Sequence, residues 1–396
     1  MNEGETARRL FTASQVRESD KWQPMSAGRA VGVTAVLWRL RSYLRRLRTA
    51  MKPMRERGVG VASVLLLHFP AAFALRVWRV LAQPLNGGLI QRFVNQPRFI
   101  RFQDALAEST LPRFYVIVMP FTLHFLLPCL ALLQGRVQVV LLINGARPWE
   151  RRYLRDRYPA LPVFKLWTLP FSSVPHGAVI SLLLENHRGN FGIIDHDCYV
   201  FDAAILDQLK PAEDECLLSL FGEESKSVAF TFPLTYFLFF NAETLRQLMR
   251  RYRIDARLYR EIPVTAREPM ARVGLGPTVF WKHYHTFRDT LHVLLAVAHA
   301  DGLKIRFLSS KQERPAVHVG GTSIGTHHTK DLWALYIHLR FLELLDDPLL
   351  NRRYACLTAP LRSSAEARAR NADPMSDAWL GLPVVEELID RLSDAC

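Results

Sequence analysis

The segment PHGAVISLLLENHRGNFGIIDHDCYVFD, residues 175–202, decides the fold. Its first half, 176–187, is an apolar run with the length of a buried helix, and FGIIDHD (191–197) is a strand that ends in acids. A strand apolar on consecutive positions, preceded by a helix, belongs to a parallel sheet covered on both faces. Reading upstream, the same rhythm repeats. FYVIVMP (114–120) is a strand, His124 to Leu133 is helical, and VQVVLLI (137–143) is a strand closed by the Asn144-Gly145 turn signal. WERRYLRDRYP (149–159) reads as a charged surface helix stopped before Pro159, and VFKLWTL (163–169) as a third, shorter strand. In such sheets ligands bind beyond the carboxyl ends of the strands, where Asp195, His196 and Asp197 fall.

Downstream, AAILDQL (203–209) is a helix, 211–226 an acidic loop, and VAFTFPLTYFLFF (228–240) an apolar strand region. Asn241 caps a helix over 242–252. After an irregular stretch (255–285), a helix over 289–300 leads to the strand LKIRFLS (303–309). HVGGTSIGTHH (318–328) is a glycine-rich loop with three histidines, and 331–345 a long apolar-faced helix. A final helix falls near 383–394. The expected fold class is α/β: a mostly parallel sheet with helices on both faces, a helical N-terminal arm and C-terminal helices. Three regions follow, 1–110, 111–328 and 329–396.

The whole chain has 396 residues, 49% apolar and 22% charged, enough for a sizeable core. Its net charge of +14 is uneven. Residues 1–100 hold 17 Lys/Arg against 5 Asp/Glu, whereas 101–396 hold 34 against 32. The basicity therefore belongs to an N-terminal arm suited to an anionic surface. Within it, Leu37, Leu40, Leu44 and Leu47 recur at helical spacing among arginines, as in a helix lying on an anionic leaflet. The apolar run 59–75 is at the short limit for a bilayer crossing, and 114–134 breaks at Pro120 and Pro128 into a buried strand, loop and helix. The polar, acid-bearing first 30 residues do not read as a secretory leader. The arm's arginines do not interleave with stacking aromatics, so no nucleic-acid partner is expected. Five scattered cysteines without a CxxC pair fit neither a disulfide framework nor a zinc site. There is also no P-loop, GxSxG elbow or HExxH helix.

Asp195 and Asp197 stand two apart at a strand end, so both carboxylates can point one way. Paired hard oxygen donors facing a crevice suit Mn2+ or Mg2+, ions that commonly also take phosphate oxygens. An acidic pair in a solvated turn is the competing reading.

With these residues in hand, the order of elements resembles the nucleotide-sugar glycosyltransferases of GT-A (Rossmann-like) fold, similar to the large inverting family two. The resemblance rests on FYVIVMP, VQVVLLINGA and PHGAVISLLLENHRGNFGIIDHDCYVFD. It extends through FPLTYFLFFNAETL, FRDTLHVLLAVAHADGLKIRFL and HVGGTS, roughly residues 112–325. It implies metal-dependent sugar transfer from a nucleotide donor to a glycan or lipid-linked acceptor, with the basic arm holding the protein at the cytoplasmic membrane face. Asp195 would sit near the ribose or the metal, Asp197 would ligate the metal, and His318 would be a further ligand. Asp289 would be the general base, with Glu261 and Glu268 in reserve, and Arg267, Arg272 and Lys282 could neutralise diphosphate. Pro120 and Asn144, at the ends of the first two strands, fall at donor-facing positions. Asn144-Gly145-Ala146 stands where relatives commonly carry an acid that contacts the base, and Arg288-Asp289 replaces a paired acid. These departures motivate the alternative of a non-catalytic, membrane-associated scaffold.

Overall fold

Alternation along a single strand divides the core. The computed structural model describes residues 77–78, 81–224, 228, 230–280, 287–320, 322, 332–358 and 382–394. The stretches 37–57 and 59–75, and Lys282, His327 and His328, lie outside the described residues. Helical residues 81–85 run into a π-helical segment, Asn86–Asn95, continued by α1 (Gln96–Ala105). Then come β1 (Arg113–Val118), α2 (Leu123–Leu133), β2 (Gln138–Ile143), α3 (Pro148–Arg157), β3 (Val163–Lys165), α4 (His176–Asn186) and β4 (Phe191–Asp195). In β1, Phe114, Val116 and Val118 enter one core while Tyr115 and Ile117 enter the other, so both faces of the sheet are buried. That is why these strands read as unbroken apolar runs.

The chain continues through β5 (Cys198–Val200), β6 (Glu215–Ser219), β7 (Gly222–Glu223), β8 (Phe232–Pro233), β9 (Phe237–Phe240) and α5 (Ala242–Tyr252). It then forms α6 (His292–Ala300), β10 (Lys304–Phe307), β11 (Ala316–His318), α7 (Leu332–Leu345), α8 (Pro348–Thr358) and α9 (Leu382–Ser393). The main sheet has seven strands in the order β10-β6-β9-β4-β1-β2-β3. β9 runs antiparallel to β4 and β6, and the other pairings are parallel. The mostly parallel α/β sheet with helices on both faces expected from the sequence is therefore present. Side chains of α2, α7, α8 and α9 fill one core, and those of α1, α4, α5 and α6 the other. The apolar stretch 114–134 folds as a strand, a turn and a buried helix, and no described helix is long and apolar enough to cross a membrane.

Several expectations need correction. The acidic loop at 211–226 contains a strand of the main sheet, β6, because Cys216, Leu217 and Leu218 form a short buried core run between the acids. The 228–240 strand region splits into β8 and β9, with a turn between them. The charged helix α3 is not wholly on the surface: Glu150 is fully buried. The helix placed at 289–300 begins at His292, because Leu291 at its N-cap adopts a left-handed φ of 68°. Asp289 thus precedes the helix and does not cap it.

Gly177, in the first turn of α4, is where two segments touch. A Cβ there would lie 2.5 Å from the Ala256 carbonyl oxygen and 2.7 Å from the Arg257 Cα. That backbone is pinned, since the Ala256 N–H donates to Ser181 Oγ (3.1 Å) and its carbonyl accepts from Leu291 N–H (3.0 Å). Replacing a helical glycine by alanine ordinarily gains about 1 kcal/mol. Here the clash wins, and Gly177→Ala should destabilise by about 1–3 kcal/mol in denaturant unfolding. A stabilised variant would show that α4 does not press on residues 256–257.

Candidate metal and donor site

β4 ends at Asp195, and His196 and Asp197 turn the chain into β5. The turn leaves both carboxylates at the carboxyl edge of the parallel strands. Two backbone hydrogen bonds hold it: Asp195 N–H donates to the Tyr236 carbonyl (2.9 Å), and Val319 N–H donates to the Asp197 carbonyl (3.0 Å). β11 pairs antiparallel with β5, with His318 opposite Cys198. That pairing carries His318 across more than a hundred residues of sequence to the acidic pair. His318 Nε2 lies 3.3 Å from Asp197 Oδ1 and 3.8 Å from Asp195 Oδ2. One ligand atom from each of the three residues lies within 4.8 Å of the others.

The surroundings orient these groups. Tyr236 stacks on the His318 ring, with centroids 3.4 Å apart and planes 14° from parallel. Thr322 donates its hydroxyl to Asp197 Oδ2 at 2.6 Å. A hydroxyl has one proton, so the 3.0 Å contact between Thr322 Oγ1 and His196 Nε2 makes that imidazole nitrogen the donor. The His196–Thr322–Asp197 chain is buried and fixes the Asp197 rotamer. Asp195 is the more open carboxylate, with its side chain 24% exposed against 5% for Asp197.

The charges divide unequally. Burial and the neighbouring Asp197 push the Asp195 carboxyl up to about 7, with His318 opposing them. Against its own burial, Asp197 is held below the usual carboxylate range by His318 and His196 and by hydrogen bonds from His318 and Thr322. Against its burial, His318 is raised by Asp197 and Asp195. Two carboxylates and one imidazole thus bring three ligand atoms to one point. Two hard oxygens with one imidazole fit Mn2+ or Mg2+, and the chemistry of this donor set is compatible with such an ion.

The other expected residues lie around this edge. Asn144, after β2, is buried, and both ends of its amide bind Val174: Oδ1 accepts from Val174 N–H (2.8 Å) and Nδ2 donates to its carbonyl (2.9 Å). It therefore clamps the loop that leads into α4. Gly145 beside it has φ 86°, and a Cβ there would meet the Ser172 carbonyl at 2.9 Å. Pro120 forms the turn after β1, and Phe121 next to it has a left-handed φ of 65°. Asp289 accepts from Thr290 N–H at 2.7 Å and is close enough to His176 to oppose the lowering of that imidazole by burial, to about 4. It is not among the three clustered ligands. Glu261, Glu268 and Arg267 are exposed, and Arg272 pairs with Glu268 (3.1 Å) and Asp301 (3.3 Å).

Sequence reasoning missed Tyr236, Thr322 and Glu150. Tyr236 carries a faint signal as the one polar-tipped ring in TYFLFF, but Thr322 has none.

Comparison with known proteins agrees with this reading in part. Residues 91–245, which include Asp195 and Asp197 but not His318, match the StrH glycosyltransferase N-terminal domain family. No curated protein sequence matches the chain. Two solved structures similar to it are 4-diphosphocytidyl-2C-methyl-D-erythritol synthase and the bifunctional glycosyltransferase WbbM in its apo form. The first is 11% identical with a TM-score of 0.27, and covers 52% of this chain and 91% of its own. The second is 13% identical with a TM-score of 0.26, and covers 52% of this chain and 47% of its own. Over residues 91–245 the chain is similar to a glycosyltransferase domain, carried on a mostly parallel sheet.

Proposed function

We propose that this protein transfers a sugar from a nucleotide-diphosphate donor to a glycan or lipid-linked acceptor. The observation that carries the proposal is the convergence of Asp195, Asp197 and His318 at the carboxyl edge of the sheet. The glycosyltransferase match over the stretch holding both aspartates supports it.

Asp195, Asp197 and His318 would hold Mn2+ or Mg2+, which supplies Lewis-acid neutralisation of a leaving diphosphate. The remaining steps belong to the protein's own groups. Thr322 and His196 keep Asp197 aimed and ionised, and Tyr236 keeps the His318 ring edge-on to the acids. The Asn144–Val174 clamp and the Phe121 turn shape the loops after β1 and β2, where a donor at a sheet edge would lie. Asp289 is the proposed general base for the acceptor hydroxyl, in an inverting displacement. It stands ahead of α6, on the same sheet edge, because α6 leads into β10 and β10 runs parallel to β4 through β6 and β9.

The test is calorimetric titration of UDP-, GDP- and dTDP-sugars with and without Mn2+. One donor class should bind at least tenfold more tightly with the metal. Asp289→Asn should keep that binding and lose turnover. If the folded protein binds no donor under either condition, the site belongs to a non-catalytic scaffold.

A further inference from the structure

The helix before the sheet is built inside out. Through Asn86–Asn95 it winds with i→i−5 hydrogen bonds, such as Gln96 N–H to the Gln91 carbonyl. A π-helical turn holds about 4.4 residues. Asn86, Gln91 and Asn95 are spaced five and four apart, so that winding aligns their amides on the inner face. Asn86 donates to the Ser173 carbonyl (3.0 Å) and accepts from Leu169 N–H (2.9 Å). Gln91 donates to the Ala178 carbonyl (3.0 Å), and Asn95 grips both the N–H (2.6 Å) and the carbonyl (3.0 Å) of Trp167. All three amide residues are buried. The helix is therefore attached to the protein by polar groups.

Its most exposed side chains are large and apolar. Leu81, Leu85, Leu89 and Phe93 recur every four residues and are 62%, 45%, 59% and 66% exposed. At the start of the stripe, Trp78 donates from its indole to the Pro170 carbonyl (2.7 Å). This brings Phe171, 78% exposed, to the same end. A surface helix of a water-soluble domain normally shows the opposite arrangement.

Over the described residues 81–103 the chain holds three arginines, Arg92, Arg98 and Arg101, and no acid. Arg92 and Arg101 are exposed beside the stripe, and the Arg92 guanidinium lies 5.6 Å from the Phe93 ring centroid. An apolar strip edged by arginines complements an anionic bilayer, where the side chains enter the acyl boundary and the guanidinium groups meet lipid phosphates.

We infer that the outward face of Leu81, Leu85, Leu89 and Phe93, with Trp78 and Phe171 at its end, docks on an anionic phospholipid bilayer. The inference rests on this helix alone and is independent of donor chemistry at Asp195. It does place the bilayer next to the loop 166–175, which follows β3 at the same sheet edge as the acidic pair.

The test is cosedimentation of the full chain with phosphatidylserine/phosphatidylcholine vesicles and with pure phosphatidylcholine vesicles. Wild type should bind the anionic vesicles at least tenfold more tightly than the neutral ones. L89E/F93E should lose at least tenfold in affinity for anionic vesicles while keeping the wild-type circular dichroism spectrum and melting temperature. L89S/F93S, which adds no charge, should lose affinity in the same direction. Val264→Glu, on an exposed apolar residue of another segment, should bind as wild type does. Equal binding by wild type and both double variants would overturn the inference and assign lipid binding to other parts of the chain. Absence of wild-type binding would overturn it too. So would a dimer that L89E/F93E converts to monomer without any vesicle binding, since a second copy would then cover the face.

Discussion

Asp197→Ala is expected to lower Mn2+ affinity by more than about 100-fold, and metal-dependent donor binding with it. Loss of a group that only orients a ligand costs about 10–100-fold in metal affinity, and Asp197 is itself a proposed ligand. It is also the member of the cluster held most firmly in its charged form, through His318, His196 and Thr322. Stability should fall as well, because the change leaves the Thr322 hydroxyl and the His318 imidazole without their buried acceptor, while the His196–Thr322 hydrogen bond stays in place. Isothermal titration with Mn2+ followed by a donor, alongside thermal unfolding, separates the two effects. His318→Ala should weaken metal binding in the same direction, since it removes the third ligand. Wild-type Mn2+ affinity in Asp197→Ala would mean that the cluster is a hydrogen-bonded turn and not a metal site.

Glu150→Ala should be among the most destabilising single changes in the chain, at about 3–5 kcal/mol. Its carboxylate is fully buried and accepts three hydrogen bonds. These come from Phe121 N–H (2.7 Å), Arg147 N–H (2.6 Å) and the Tyr354 hydroxyl (2.7 Å). They tie the turn after β1, the start of α3 and the helix α8 to one residue. Truncation leaves three buried donors without an acceptor, which costs more than the bonds themselves contributed. Burial pushes the Glu150 carboxyl up, and the bonds from Tyr354, Arg147 and Phe121 only partly offset this. A melting temperature lower by about 5–10 °C is the expected reading. A shift under about 2 °C would show that the three donors find other partners. Because Phe121 and Arg147 belong to the loops beside the site, donor affinity should also weaken even where the variant remains folded.

Both predictions turn on residues whose partners are remote in sequence. Asp195 and Asp197 were legible because acids after an apolar strand stand out in a parallel sheet, whose edge collects ligands. His318 could be reached from the sequence only through family resemblance. Its approach depends on the β5–β11 pairing, two strands of three residues each, too short to leave a periodic signal. Tyr236 and Thr322 act through a stacked ring and one hydroxyl, which no local pattern marks. Glu150 sits in a helix whose charged composition suggested a solvated surface, and only its buried partners reveal its role. β6 was hidden for a related reason: a five-residue strand flanked by acids is read by composition as a loop, although its middle is core.

What the sequence determined by itself is the frame: apolar runs of strand length alternating with helices, the carboxyl edge where the acids collect, and a basic arm set apart from a nearly neutral body. These are properties of composition and period, carried by contiguous residues. The antiparallel insertion of β9, the convergence of His318 and Thr322 on Asp197, the Glu150 knot and the outward apolar face of the 81–93 helix were decided by tertiary structure. Each depends on backbone groups meeting across tens to hundreds of residues, and in the last case on a π-helical winding that places amides inward against an ordinary helical period.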